Sequence, residues 1–183
     1  MSRVLVPLAE GCEELEAVTV IDLLRRAGIE VVTAGLARGP IRASRGTVLL
    51  PDVLLEEVLH QDFDMVALPG GGPGAERLAE DERVRSVIHE MAEAGKYTAA
   101  ICAAPKVLAD AGVLAGKQAT SYPGILEEAA PEGVTLKQDP VVVDGSVVTS
   151  RGPGTAMDFA LTLVELLAGR PRRDEVEAAL QRP

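Results

Sequence analysis

The chain has 183 residues, 47% of them hydrophobic but only 2% aromatic and none of them Trp; this is enough to fill one sizeable core from Val, Leu, Ile and Ala, and too few rings to stack bases. A formal net charge of -10 would repel phosphate backbones and anionic lipid, so neither nucleic acid nor a membrane surface is expected as a partner. The apolar N-terminal stretch is far too short for a secretory signal or a membrane span, which predicts a cytoplasmic protein whose two cysteines stay reduced, each a packing residue or a reactive thiol.

In chain order, Val4–Leu8 predicts a buried strand, and a helix follows from Glu14 to Ala27, ended by Gly28. Projected at about 100° per residue, Glu16 shares a stripe with Val20, Leu23 and Ala27, so a carboxylate lies on the apolar face in the first turn. Glu13 and Glu14 read as ordinary first-turn acids that complement the helix dipole. Val18 and Ile21 fall opposite that stripe beside Arg25, and apolar residues on the wet side predict an interface. Cys12, on the loop between strand and helix, is either a quiet cysteine or a resolving thiol for the second one.

Further strands are predicted at Val31–Leu36 and Met65–Leu68. The latter runs into Pro69-Gly70-Gly71-Gly72-Pro73-Gly74 and a helical Ala75–Leu78. Glycines there let backbone N–H groups approach a small ligand as an anion or oxyanion nest, although the loop is neither a dinucleotide fingerprint nor a Walker A motif. His60 and His89 both read as solvated, the latter on the polar side of a Val84–Met91 helix.

The strand Tyr97–Ile101 ends in AAICAAP, where Cys102 makes a strand-to-helix turn ahead of a helix at Lys106–Ala111. Small neighbours permit the tight backbone of a nucleophile elbow. A thiol at a helix N-terminus faces unpaired N–H groups that favour thiolate, against the alternative of a small buried hydrophobe. Asp144-Gly145 between Val141–Val143 and Val147–Val148 predicts a hairpin, hence one antiparallel edge. A nearly all-round apolar helix spans Gly154–Ala168, and Gly169 and Pro171 stop it. The alternation of strands and helices predicts one α/β domain over residues 1–183 with a mostly parallel sheet. The strand-end rule then puts Glu16, the glycines and Cys102 on one rim.

With these residues in view, the chain resembles the ThiJ/PfpI superfamily, in the branch of the Parkinson-disease-associated protein deglycase. The resemblance covers nearly the whole chain and rests on EELEAV, RRAG, VTAGLA, LPGGGPGA, AAICAAP and TSRGPGT, in that order. It implies a flavodoxin-like three-layer α/β/α sandwich, a homodimer paired through the Glu14–Ala27 helix, Cys102 as nucleophile, Glu16 as its partnering acid, and the backbone of Gly70, Gly71 and Ala103 as an oxyanion site. The implied activity is that of a glyoxalase or deglycase acting on 2-oxoaldehydes such as methylglyoxal, or on their adducts with amines and thiols.

Two departures narrow the chemistry. The peptidase-like branch carries His directly after the cysteine, where Ala103 stands here, so a proteolytic reading loses its base. Tyr122 stands where the deglycase has a His near its cysteine, leaving Glu16 as the proton carrier. Desolvation on the apolar face predicts a Glu16 that is protonated at rest and donates to the sulfur. Arg45 and Arg151, in two Ser-Arg-Gly turns, are candidate anion-binding residues. No metal or organic cofactor is expected. The rival readings are an oxidative-stress sensor using the same cysteine, and a chaperone-like module.

Overall fold

Alternation along each strand decides which side chains go to which side of the sheet. Val4, Val6 and Leu8 enter one core with Met65, Ala67, Ala99 and Ile101, while Leu5, Val66, Leu68 and Ala100 enter another. These are properties of a computed structural model that describes residues 1–183. In chain order the elements are β1 (Arg3–Leu8), α1 (Glu14–Arg26), β2 (Glu30–Gly35), β3 (Ile41–Arg42), β4 (Val48–Leu49), β5 (Val53–Leu54), β6 (Met65–Leu68), α2 (Gly72–Glu80), α3 (Glu82–Glu93) and β7 (Tyr97–Ile101). They continue with α4 (Pro105–Asp110), β8 (Gln118–Ala119), α5 (Ile125–Ala129), β9 (Thr135–Leu136), β10 (Val141–Asp144), β11 (Val147–Ser150), α6 (Ala156–Ala168) and α7 (Arg170–Ala179).

Seven strands form one sheet in the order β10-β11-β7-β6-β1-β2-β5. All pairs are parallel except the β10–β11 hairpin at the edge. The two cores of 26 and 24 buried residues lie on its two faces. Helices α1, α6 and α7 contribute to the first, and α2, α3, α4 and α5 to the second, which makes the predicted sandwich. No helix is long and apolar enough to cross a membrane. The chain leaves β1 for β2 on one side and later returns to β6 on the other. The crevice at the carboxyl ends of β1 and β6 is therefore a topological switch point, the place where open α/β sheets bind ligands.

The all-round apolar helix stops where expected: Gly169 (φ 85°) caps α6 at Ala168, and Pro171 sits in the first turn of a separate α7, where its missing N–H has no helical acceptor to lose. One expectation needs correction. The helix after Cys102 begins at Pro105 and has only 6 residues, with Cys102 two positions ahead of its capping residue Ala104.

Candidate active site

The start of α1 is clamped by the loop that follows β6. Gly70 O accepts from Glu13 N–H at 2.9 Å, and Gly70 N–H donates to Glu16 Oε2 at 2.8 Å. Glu13 caps the helix by accepting from Glu16 N–H at 3.1 Å. These bonds fix Glu16 with its side chain pointing under the loop, 0% exposed, as its place on the apolar stripe predicts. Its other oxygen, Oε1, is buried without a nitrogen or oxygen partner, and the thiol of Cys102 is the group left to hydrogen-bond the carboxylate.

Cys102 itself has φ 66°, a left-handed conformation that costs a non-glycine residue energy. The surroundings over-determine it. Cys102 N–H donates to Ser150 O at 3.0 Å and its carbonyl accepts from Tyr122 N–H at 2.9 Å. The predicted elbow is thus present, strained and held from both sides, with the cysteine 8% exposed.

Burial pushes the Glu16 carboxyl up to about 7, against the Gly70 N–H and the thiol, which favour its charge. Burial also pushes the Cys102 thiol up to about 12, followed by the Glu16 charge and by the S–H bond to that carboxylate; the N–H groups of Gly71 and Ala103 pull the other way. The expected helix-end stabilisation of a thiolate is therefore replaced by these two N–H groups, because the following helix is too short and too far along the chain. Two of the upward causes exist only while Glu16 is ionised. Above about 7 the pair therefore holds one proton, on the thiol, which donates to the Glu16 carboxylate; the expected order, a neutral Glu16 donating to the sulfur, is reversed.

The glycines divide their work differently from the resemblance's implication. Gly70 N–H is spent on Glu16, so Gly71 and Ala103 are left as the N–H groups directed at the sulfur. A Cβ at Gly71 would overlap Gly11 O and lie 2.7 Å from Glu13 N, which explains why only glycine lets the loops close.

Cys102 opens into a cleft of about 940 Å³ whose lining includes Gly71, Ala103, Tyr122 and Arg45, all named from the sequence. It also includes Glu10, Glu13, Arg42 and Arg77, which sequence patterning did not single out because they lie on a short loop, a two-residue strand and an exposed helix face. Tyr122 is half-exposed and stacks near Gly152, whose Cβ would lie 3.4 Å from the ring. Arg151 is half-buried and outside the lining. Cys12 is fully buried, its thiol pushed up to about 11 by burial and then by Glu14 and Glu13, which suits the quiet reading. His60 and His89 are exposed and away from the cleft. Nowhere do three His, Cys, Asp or Glu side chains converge as a metal site would need.

The DJ-1/PfpI family matches this chain over residues 2–166. Protein dj-1beta of Drosophila melanogaster is 44% identical over 177 residues, covering 96% of this chain and 95% of the relative. The crystal structure of Drosophila melanogaster DJ-1beta superposes with a TM-score of 0.94 at 42% identity, covering 100% of both chains. The glutathione-independent glyoxalase DJR-1.2 of Caenorhabditis elegans is 36% identical over 160 residues, 87% of this chain and 85% of the relative. All three loops that build the Glu16–Cys102 pair fall inside the matched residues, and on that extent of agreement this chain belongs to the DJ-1/PfpI family.

Proposed function

We propose that this chain converts 2-oxoaldehydes such as methylglyoxal, free or as adducts on amines and thiols, into 2-hydroxy acids without a cofactor. The observation that carries this reading is the convergence of a buried acid and a thiol, Glu16 Oε2 and Cys102 Cβ each 2.7 Å from where a Gly70 Cβ would stand, with Cys102 lining an open cleft. The sulfur bonds to the aldehyde carbon while Glu16 takes the thiol proton and returns it to the aldehyde oxygen, giving a hemithioacetal. Glu16 then removes the proton from that carbon and returns it to the neighbouring ketone carbon while the hemithioacetal hydroxyl proton passes to the ketone oxygen, so the aldehyde carbon is oxidised to a thioester as the ketone becomes a hydroxyl. Water cleaves the thioester, releasing the 2-hydroxy acid and the thiol. The N–H groups of Gly71 and Ala103, directed at the sulfur, are the donors nearest to the oxygen on which negative charge gathers once the carbon is bonded there. The name of the Caenorhabditis elegans relative supports the glyoxalase reading.

Lactate release from methylglyoxal tests it: Cys102→Ala should release none, and Glu16→Gln should be slower by about 100-fold or more. Equal rates for Glu16→Gln and the unaltered protein overturn the assigned role. A peptidase lacks its base, since Ala103 follows the cysteine and no His lines the cleft. A stress sensor is favoured by one observation, that Cys102, although buried, lines a cleft open to small oxidants. A kcat/KM far below about 10⁴ M⁻¹s⁻¹ selects that reading over a dedicated enzyme. The cytoplasm is the compartment that keeps such a thiol reduced. A homodimer through α1 completes the proposal, resting on Leu15 and Val18, 49% and 46% exposed. Ile21, expected on that face, is packed against the chain's own core and contributes less.

A further inference from the structure

The arginines fall into two groups. Arg3, Arg25, Arg26, Arg83, Arg85 and the arginines at the C-terminal end each meet a carboxylate within 4.0 Å. Arg38, Arg42, Arg45, Arg77 and Arg151 meet none, and all five follow the carboxyl ends of β2, β6 or β11, the rim that carries Cys102. Three of them, Arg42, Arg45 and Arg77, line the Cys102 cleft.

In a chain of net charge -10 carboxylates are not scarce, and the rim has its own. Those are held elsewhere. Glu10 Oε1 accepts from Arg42 N–H at 3.2 Å, and Glu13 Oε2 from Glu16 N–H at 3.1 Å. Glu14 is held by Arg45 N–H at 3.0 Å, Thr47 N–H at 3.3 Å and Ser44 Oγ at 3.1 Å, which bring its carboxyl down to about 2 although burial opposes them. Backbone donors thus occupy the oxygens of these carboxylates, which stay ionised, and none of them forms an ion pair with Arg42, Arg45 or Arg77. Arg77 is also tethered: its Nη1 donates to Glu10 O at 3.1 Å and Pro73 O at 3.2 Å, so its remaining N–H groups are presented in a fixed position. Arg42 is tied more loosely, by Nη1 to Gly46 O at 3.4 Å.

We propose that the cleft is built for carbonyl substrates that carry a carboxylate, with the reacting carbon at Cys102 and the carboxylate at Arg42, Arg45 and Arg77. A planar two-oxygen anion matches the guanidinium fork, and the cleft of about 940 Å³ is far larger than a three-carbon aldehyde needs. This names the substrate class of the reaction proposed above and rests on that reading for its chemistry. The probe is 4,5-dioxopentanoate, which is methylglyoxal extended by CH₂COO⁻. Addition of one water, with the aldehyde oxidised and the ketone reduced, gives 2-hydroxyglutarate.

The test compares kcat/KM for the two aldehydes. The carboxylated one should be preferred by about tenfold or more, a preference that shrinks at high salt and falls below about threefold in the exposed-site variant Arg42→Met/Arg77→Met. A second readout needs no turnover: glutarate should protect Cys102 from iodoacetamide, and the double variant should need about ten times more glutarate for half-protection. Arginine-dependent protection without turnover of either aldehyde keeps the anion site and overturns the glyoxalase reading. Methylglyoxal turnover with no preference, and no protection by glutarate, overturns the anion site alone.

Discussion

Gly70 has no room for a side chain: a Cβ would lie 2.7 Å from Cys102 Cβ, 2.7 Å from Glu16 Oε2 and 2.8 Å from Ile101 O. The residue works as a spacer that brings an acid and a thiol together, in addition to donating its N–H to the acid. Gly70→Ala should therefore separate the pair, costing about 1–3 kcal/mol in chemical denaturation and, by moving the Glu16 charge away from the sulfur, raising Cys102 alkylation above about pH 7. Unchanged stability and alkylation would show that the spacing is not needed. Glu16 was legible because helical periodicity alone puts it among apolar residues, and Cys102 because small neighbours mark a tight turn. The division of labour between Gly70 and Gly71 was not legible, since it depends on which N–H points where after the loops close on Gly11–Glu13.

At the scale of elements, β7 appears with the bounds its apolar run predicts, Tyr97–Ile101, and Gly145 (φ 61°) makes the hairpin turn between β10 and β11. The two-residue strands β3, β4, β5, β8 and β9 left no trace, because a period of two cannot be read over two residues. Their pairing is set by tertiary contacts, as when Glu14 on α1 gathers the Ser44–Thr47 turn. Helix α6 covers the face of the sheet behind α1, and Phe159 is its largest fully buried side chain. Phe159→Ala should cost about 3–5 kcal/mol by leaving a cavity between α6 and the sheet, measurable by urea unfolding. A cost below about 1 kcal/mol would mean that this layer repacks freely.

Across the whole molecule, the fold carries its excess negative charge while concentrating unpaired arginines on one rim. It also leaves Leu15 and Val18 uncovered on α1 next to that rim. If these residues pair two copies, light scattering at micromolar concentration should give a dimer, and Val18→Glu should give a folded monomer; a monomer before the substitution contradicts the proposal. Glu16 and Cys102 come from opposite sides of the switch point, so their coupling reports on the fold as much as on the site. The pH dependence of Cys102 alkylation by iodoacetamide measures that coupling directly. Below about 7 both groups keep their protons; as pH rises through about 7 Glu16 loses its own, and its charge then helps to hold the thiol up toward about 12. Alkylation of the unaltered protein should therefore rise only well above about pH 9, and Glu16→Gln, which lacks that charge, should rise at lower pH and react about tenfold faster at about pH 9. Superimposable profiles for the two proteins, or a slower Glu16→Gln across the whole range, would contradict the coupling.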